Sequence, residues 1–281
     1  RLRSQSGAHA GAHITALPTC AYTVVDPMRM NGMLRRRARL PLATGSRHCR
    51  ALRCQRTGAS LLDSFGDHGA ACTRTGELKR RGSAVERAWR PLWEEAPVQA
   101  SEHPLVHDLV PTVPAWDGRQ ADVFVRGMSI GNGRPVVGDM CMGSALHVNG
   151  TPYAHASAED GKAIERLTRQ KHNDYPELVA SDRIRYVVLA CEEGGQWGPD
   201  VFEVVSDLVR LKVAPLHPML RRSAALAYTR KWWAILATGA QSAAIDCILG
   251  QDPQVWVPHG APPLAVDLAW ADVAPEPSRL G

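Results

Sequence analysis

Three short apolar runs, each with a carboxylate inside it or next to it, constrain most strongly how this chain can fold. The runs occupy residues 121–125 (ADVFV), 135–142 (PVVGDMCM) and 185–191 (RYVVLAC). Segments of this length that are rich in β-branched and other apolar residues predict strands. A helix is predicted between the second and third runs, whereas the connection between the first two is short. Together with the flanking helices, the runs predict a small central sheet.

Helical spacing precedes and separates these runs. Apolar residues recur at helical intervals over 83–95. A second helix is predicted after Ser157, a capping residue, and ends near Pro176. A third begins with Pro199 in its first position, and one or two more are predicted over 218–249. This order of elements predicts an α/β fold in which helices flank a small central mixed sheet.

The N-terminal part of the chain lacks such periodicity. Residues 1–32 are rich in Gly, Ala, Ser and His and predict a flexible segment. Residues 33–42 (MLRRRARLPL) predict a short basic helix that Pro41 stops. The first residue is Arg1, which predicts a fragment or a processed chain, and no signal peptide is recognisable. Because no stretch of about 18 uncharged apolar residues occurs, a transmembrane helix is not predicted.

Positive charge is concentrated in the first third of the chain. Residues 1–95 contain 17 Lys and Arg against 7 Asp and Glu, whereas the remainder is net acidic. Such a basic segment favours an anionic partner such as nucleic acid. Only five of the 33 basic residues are Lys, and Arg suits phosphate contact because its planar fork pairs two oxygens at once. A coding bias that enriches Arg, Ala, Gly and Pro together is the alternative explanation.

The carboxylates of the apolar runs form the first candidate site. Asp122, Asp139 and the pair Glu192 and Glu193 lie within or directly after the three predicted strands. Burial of a lone carboxylate is unfavourable, and several carboxylates repel one another unless a cation neutralises them. A set of oxygen ligands favours Mg²⁺ or Mn²⁺. The alternative is that these acids are independent surface or strand-edge residues.

Lys171 supports a shared site. Ile164, Leu167 and Lys171 have the spacing of one helix face, so the lysine belongs to the apolar stripe rather than to the solvent face. An ammonium group beside a metal–carboxylate site can stabilise charge that develops on a phosphate. Tyr175, one turn later, can bond the same phosphate. The alternatives are a lysine that extends along the edge of the core and a tyrosine that only packs.

A stretch rich in cysteine, histidine and glycine forms the second candidate site. Cys49 and Cys54 are followed by His68 and Cys72 in GDHGAAC. Three thiolates and one imidazole suit a tetrahedral Zn²⁺ site, and such an ion would order a segment that has little other periodicity. The spacing departs from a C-x2-C pair, and His48 is an alternative ligand. The remaining alternative is a disordered loop without metal.

Residues from about 49 to 250 resemble the C-terminal region of non-LTR (LINE-type) retrotransposon polyproteins, in particular the variant abundant in algal and dinoflagellate genomes. In that family the region follows the reverse transcriptase and contains a zinc-knuckle-like element and then a restriction-endonuclease-like PD-(D/E)XK nuclease. The segment LRRRARLPL similarly resembles the chain just upstream. The stretches that carry the resemblance are SLLDSFGDHGAACTRTGELKRRGSAVERA, DGRQADVFVRGM, VVGDMCMGSAL, KHNDYPEL, VVLACEEGGQWG and RKWWAILATGAQSAA.

The resemblance implies roles for the nuclease residues. Asp122 and Asp139 match the first and second acids of the nuclease motif. Lys171 matches the lysine that in these elements lies on the following helix, with Tyr175 as its companion. Glu192 matches the acid that precedes a Gly-Gly-x-Trp turn. By this resemblance, Asp122, Asp139 and Glu192 are the expected Mg²⁺ ligands.

The resemblance also implies a zinc site, with one departure. His68 and Cys72 match two zinc ligands of the family. The family usually has a CxC or CxxC pair before the Gly-Asp-His sequence, whereas here Arg56 stands in that neighbourhood and leaves Cys54 without a close partner. Either Cys49 replaces the missing ligand or the zinc site is lost.

The implied function is a Mg²⁺-dependent DNA endonuclease domain of a retrotransposon protein. It would nick target DNA in the nucleus and leave a 3′-hydroxyl that primes reverse transcription, with the RNA of the element as a further partner and no membrane contact. One alternative is a degenerate, inactive remnant that still binds nucleic acid, and another is a zinc-stapled interaction module. The predicted organisation is a basic segment over 1–48 at the end of a polymerase region, a zinc-knuckle-like element over 49–80, an endonuclease-like core over 81–215, C-terminal helices over 216–250 and an irregular tail over 251–281.

Overall fold

A computed structural model of the protein describes residues 2–42, 47–49, 54, 61–73 and 76–249. Its centre is a four-stranded mixed sheet in the order β3-β4-β5-β6. Strand β4 pairs antiparallel with β3 and with β5, and β5 pairs parallel with β6. A separate pair of short strands, β1 and β2, is antiparallel. The strands are β1 (Arg47–His48), β2 (Leu61–Leu62), β3 (Gln99–Glu102), β4 (Val123–Arg126), β5 (Val136–Gly143) and β6 (Arg185–Glu192).

Helices cover both faces of this sheet, as the alternation of strand and helix patterns predicts. No helix in the described ranges is long and apolar enough to cross a membrane. The predicted tail over 251–281 and much of the predicted zinc element over 49–80 lie outside the described residues. The helices are α1 (Leu2–Ser6), α2 (Pro27–Arg37), α3 (Asp67–Ala71), α4 (Glu77–Glu95), α5 (Val106–Leu109), α6 (Lys162–Asp174), α7 (Pro176–Val179), α8 (Pro199–Val213) and α9 (Pro218–Leu249).

The two faces of β5 and β6 bury different cores. Side chains alternate between the faces of a strand, and Met140 and Leu189 therefore belong to a large core with α4, α8 and α9 that contains Trp89 and Trp232. The intervening residues of the same strands face α5, α6 and α7 instead. Asp139 shares this second face with its neighbours Val137 and Cys141, so it is buried beneath α6 rather than under the large core.

The sequence-based expectation of a small mixed sheet with flanking helices is confirmed, and one strand was missed. All four residues of β3 are exposed, and QASE has neither apolar alternation nor β-branched residues. This edge strand forms because its backbone pairs with β4. Pairing between distant segments leaves no signal in the local composition.

Two boundary predictions were wrong. Residues 1–32 were expected to be flexible, but α2 (Pro27–Arg37) begins within them. The carboxylate of Asp26 caps this helix by accepting the backbone N–H of Arg29 at 3.0 Å. The next error concerns Ser157, which does not cap a helix. Helix α6 starts five residues later, after a left-handed Gly161.

A buried ion-pair network joins the N-terminal helices to the end of the sheet. The guanidinium of Arg81 in α4 donates to the Glu193 carboxylate at 2.7 Å and to the carbonyl oxygens of Ala70 and Met142 at 2.7 and 2.8 Å. Arg36 of α2 donates to the other oxygen of Glu193 at 3.1 Å. Because Arg81 and Glu193 are only 4% and 6% exposed, each charge depends on its partner.

Loss of the charge on Glu193 is expected to destabilise the whole fold. Removing one member of a buried ion pair leaves an uncompensated charge and typically costs about 3–5 kcal/mol, so Glu193→Gln is expected to lower the free energy of unfolding by about 3 kcal/mol. The matched control is Glu203→Gln, because Glu203 forms an exposed pair with Arg185 at 3.4 Å and its loss should cost less than about 1 kcal/mol. Urea unfolding measures both, and equal losses would contradict this account.

Candidate functional site

Asp122 and Asp139 are brought together by the pairing of β4 and β5. Asp122 directly precedes β4, and Val123 pairs with Gly138, the residue before Asp139. The Asp122 backbone N–H donates to the Gly138 carbonyl oxygen at 3.2 Å, and its carboxylate accepts the backbone N–H of Met140 at 2.5 Å. These contacts hold the first predicted acid against the second, on adjacent strands.

The electrostatics of this pair are those of two acids that compete for one proton. Burial, and then the negative charge of Asp122, raise the pKa of Asp139 to about 7. Burial likewise raises the pKa of Asp122. Close carboxylates cannot both ionise at low cost unless a positive charge lies beside them. The pair is therefore suited to a cation.

Lys171 supplies one positive charge to this pair. Its ammonium lies 2.8 Å from Oδ1 of Asp139, as the apolar-stripe position on α6 predicts. Burial would lower the pKa of Lys171, but the charge and hydrogen bond of Asp139 outweigh burial and raise it. The side chain is 24% exposed, so the ammonium lies at the boundary between the pair and solvent.

Tyr175 lies close to the site, but its hydroxyl is engaged elsewhere. The hydroxyl donates to the carbonyl oxygen of Gln120 at 2.9 Å, while Lys171 Nζ lies 5.8 Å from the centre of the ring. The ring also packs with the apolar residues beneath α7. Tyr175 thus lies beside Lys171 and is bonded to the backbone two residues before Asp122. This position serves packing as well as the site.

Glu192 is not at the site, in contrast to its predicted role as a metal ligand beside the two aspartates. In the parallel pairing of β5 and β6, Asp139 lies opposite Val188, whereas Glu192 lies opposite Gly143. Four residues along a strand correspond to about 13 Å. Burial raises the pKa of the Glu192 carboxyl, while Ser4 and the backbone of Ala163 and Ile164 in the first turn of α6 lower it, so this carboxylate faces the start of α6. Glu192 therefore lies on the same face of the sheet as Asp139, but about 13 Å further along it.

Three residues near the pair escaped the sequence analysis. The Tyr186 hydroxyl donates to Oδ2 of Asp139 at 3.3 Å, and Tyr186 precedes Val188 by two residues, so the period of β6 contained that signal. Glu86 and His103 place ligand atoms within 4.8 Å of each other and of Asp122. Neither could be found from local spacing, because α4 and the end of β3 meet Asp122 only through the fold.

The second site brings together the four residues predicted to bind zinc. Cys49, Cys54, His68 and Cys72 are all buried, and their ligand atoms lie within 4.8 Å of one another. The Sγ atom of Cys72 lies 3.8 Å from that of Cys49 and 3.7 Å from that of Cys54. At a Zn–S distance of about 2.3 Å, two ligands of a tetrahedron stand about 3.8 Å apart. The sulfur spacing is thus that of zinc ligands and far from that of a disulfide.

The histidine of this cluster is oriented from outside it. Nδ1 of His68 lies 3.1 Å from the carbonyl oxygen of Val148, which requires the proton on Nδ1 and leaves Nε2 as the lone-pair atom. Nε2 is buried and has no hydrogen-bond partner among the residues that the structure describes. A metal-binding histidine usually donates its other nitrogen in this manner. The geometry therefore fits a metal ion bound at Nε2.

The backbone around His68 is held by an acidic cap. The Asp63 carboxylate accepts the backbone N–H groups of Phe65, Asp67 and His68 at 2.9, 3.0 and 2.7 Å. This fixes the start of α3, where His68 is the second residue. His48, the alternative ligand, lies in β1 at a position whose side chain is outside the described part of the chain.

No protein-family model matches this chain, and no curated protein does so. Conclusions about its chemistry therefore rest on the geometry of the two sites.

We expect the purified protein to contain one zinc ion per chain at the cysteine–histidine cluster. Cys72→Ser should remove it, because Cys72 lies beside both other thiols, and should also lower stability, since binding energy of a structural zinc ion contributes to folding. The matched control is Cys20→Ser, a half-buried cysteine outside the cluster. Elemental analysis combined with thermal unfolding measures both effects. A protein without zinc whose unfolding is unchanged by a chelator would contradict the expectation.

Proposed function

We propose that this chain is a divalent-metal-dependent DNA endonuclease domain of a non-LTR retrotransposon protein, with a restriction-endonuclease-like core and a zinc-stapled N-terminal element. The observation that supports it most is the convergence of Asp122, Asp139 and Lys171 at one end of the sheet. Two acids and a lysine in contact are the groups that metal-assisted phosphodiester hydrolysis requires. The resemblance in sequence provides the family, and nuclear action on target DNA follows from it.

The two aspartates fit the Mg²⁺ or Mn²⁺ ion that this function needs. Burial and then the negative charge of Asp122 raise the pKa of Asp139, and a bound cation would favour the ionised form of both carboxyl groups. Carboxylate oxygens are the usual ligands of both ions. Such an ion would polarise the phosphate and lower the pKa of a water molecule. Glu192 is omitted from this ligand set because it pairs with Gly143, about 13 Å along the sheet from Asp139.

The residues of the chain then have distinct tasks. Asp122 and Asp139 hold the ion, and the Tyr186 hydroxyl keeps Asp139 oriented. Lys171 stabilises negative charge that accumulates on the phosphate oxygens. In the reaction, a water oxygen bonds to phosphorus, the bond between phosphorus and O3′ breaks, and O3′ takes up a proton. The products are a 5′-phosphate and the 3′-hydroxyl that can prime reverse transcription.

The basic residues of α4 support DNA as the partner. Lys79, Arg80 and Arg87 line a cavity of about 730 Å³ next to α2, and Arg87 also lines a second cavity that contains Asp122. Exposed cations spaced along one helix can follow a phosphate backbone. This stripe leads from the zinc-stapled element toward the proposed catalytic residues, and RNA of the element can bind the same surface.

An inactive remnant that still binds nucleic acid is the second candidate, and one observation favours it. The residue that matches the third acid of the family, Glu192, is absent from the site. Both candidates predict that DNA affinity falls as salt rises. Only the endonuclease predicts Mg²⁺-dependent cleavage.

Lys171→Ala is expected to slow plasmid nicking in Mg²⁺ by about 10²–10³-fold, as loss of one positioned transition-state contact does. DNA affinity should change little, because one charge among 33 Lys and Arg contributes little to binding and its main effect is in the transition state. Folding should be retained, because Asp139, whose pKa is raised to about 7, can take up a proton when the ammonium is lost. Lys162→Ala is the matched control, since Lys162 lies at the start of the same helix and pairs only with Glu159 and Glu165 among the described residues. Equal nicking by wild type and Lys171→Ala would remove the lysine from the mechanism.

A further inference from the structure

A second group of metal-ligating side chains includes Asp122 but not Asp139. Glu86, His103 and Asp122 place one ligand atom each within 4.8 Å of the others. They come from three separate elements: Glu86 from the middle of α4, His103 from the residue after β3, and Asp122 from the residue before β4. The fold therefore brings these three ligand residues together, and they do not belong to one acidic segment of the sequence.

Backbone pairing sets the position of His103. The backbone N–H of His103 donates to the carbonyl oxygen of Asp122 at 3.1 Å, which extends the antiparallel pairing of Glu102 with Val123 by one residue. The Asp122 carboxylate is fixed by the backbone N–H of Met140. Two of the three ligands are therefore held by neighbouring strands before any ion binds.

Glu86 completes the group from the helix above. The negative charge of Glu86 contributes to the raised pKa of Asp122, so the two carboxylates interact. Arg90, one helical turn after Glu86 on α4, forms a bidentate pair with Glu102 at 2.7 and 2.8 Å. Arg87 directly follows Glu86 and lines the same cavity, but among the described residues neither arginine forms an ion pair with Glu86. Within the described ranges, the side chains of Glu86 and His103 make no hydrogen bond or ion pair.

A cavity gives access to these ligands. It has a volume of about 240 Å³ and contains Asp122 together with the two other ligands. Its wall also contains Met140 and Trp93, which limit the space around the carboxylates on the core side. An ion with several bound waters fits such a volume, because one water occupies about 30 Å³.

We propose that Glu86, His103 and Asp122 form a second divalent-cation site that prefers Mn²⁺ or another imidazole-binding ion to Mg²⁺. Carboxylates alone suit Mg²⁺, whereas an added imidazole favours transition metals. Asp122 is the ligand shared with the proposed catalytic pair, so the inference rests on the proposed function only through that residue. The inference is tested by metal binding, so its outcome does not depend on whether the protein cleaves DNA.

The test measures Mn²⁺ binding to the zinc-loaded full chain by electron paramagnetic resonance. Pulsed spectra of the bound ion should show coupling to a ¹⁴N nucleus. His103→Ala should abolish that coupling, and Glu86→Gln should weaken Mn²⁺ binding at this site by at least about tenfold. Asp139→Asn should leave the ¹⁴N coupling in place, because Asp139 is not a ligand of this site.

The controls are chosen to match each variant. His155 is an exposed histidine that also has a positive φ, 62° against 54° for His103, and His155→Ala should leave the spectra unchanged. Glu94 is an exposed glutamate on the same helix as Glu86, and Glu94→Gln should retain wild-type affinity. Absence of ¹⁴N coupling in the wild type, or its persistence in His103→Ala, would overturn the proposal. Failure of the wild type to nick DNA while the coupling is present would reject the proposed function alone.

Discussion

The carboxylate of Glu193, buried between two arginines, is the interaction on which the rest of the structure depends. Arg81 connects it to the last turn of α3 and to the end of β5, and Arg36 connects it to α2. The element with the cysteine–histidine cluster is thereby attached to the sheet by charged groups, and Ala70 of α3 also packs against Ile245 and Ile248 of α9. A buried ion pair of this kind tolerates little change in geometry. The two candidate metal sites consequently keep a fixed relation to each other.

Contacts within the protein also change the role that is assigned to the arginines of the basic N-terminal segment. The side chain of Arg36 is almost fully buried, and Arg37 donates to the carbonyl oxygens of Gln5 and Ala10. Arg29 pairs with Asp26 and Asp246. A count of charges predicts a nucleic-acid surface on this segment, but these arginines are used within the protein. Lys79 and Arg87 of α4, in contrast, are exposed and can contact a phosphate backbone.

Local pattern predicts much of the fold and part of the site. The apolar runs of β4, β5 and β6 and the position of Lys171 follow from periods of two and of about 3.6 residues, and the sheet confirms them. Strand β3, Glu86 and His103 could not be predicted, because their positions come from contacts between distant segments. Glu192 shows the limit of a motif: it lies on the same face of the sheet as Asp139, but its distance along β6 depends on how β5 and β6 align.

The central claim is that Asp122 and Asp139, where β4 pairs with β5, bind a cation with which the protein cleaves DNA. Its most direct measurement is extension of the nick: supercoiled plasmid is incubated in Mg²⁺ with the zinc-loaded protein or its Asp139→Asn variant, and a DNA polymerase is then supplied with labelled nucleotides. The account predicts labelled product with the wild type, because hydrolysis leaves a 3′-hydroxyl, and none with the variant. Intact plasmid after incubation with the wild type, or nicks that the polymerase cannot extend, would contradict it.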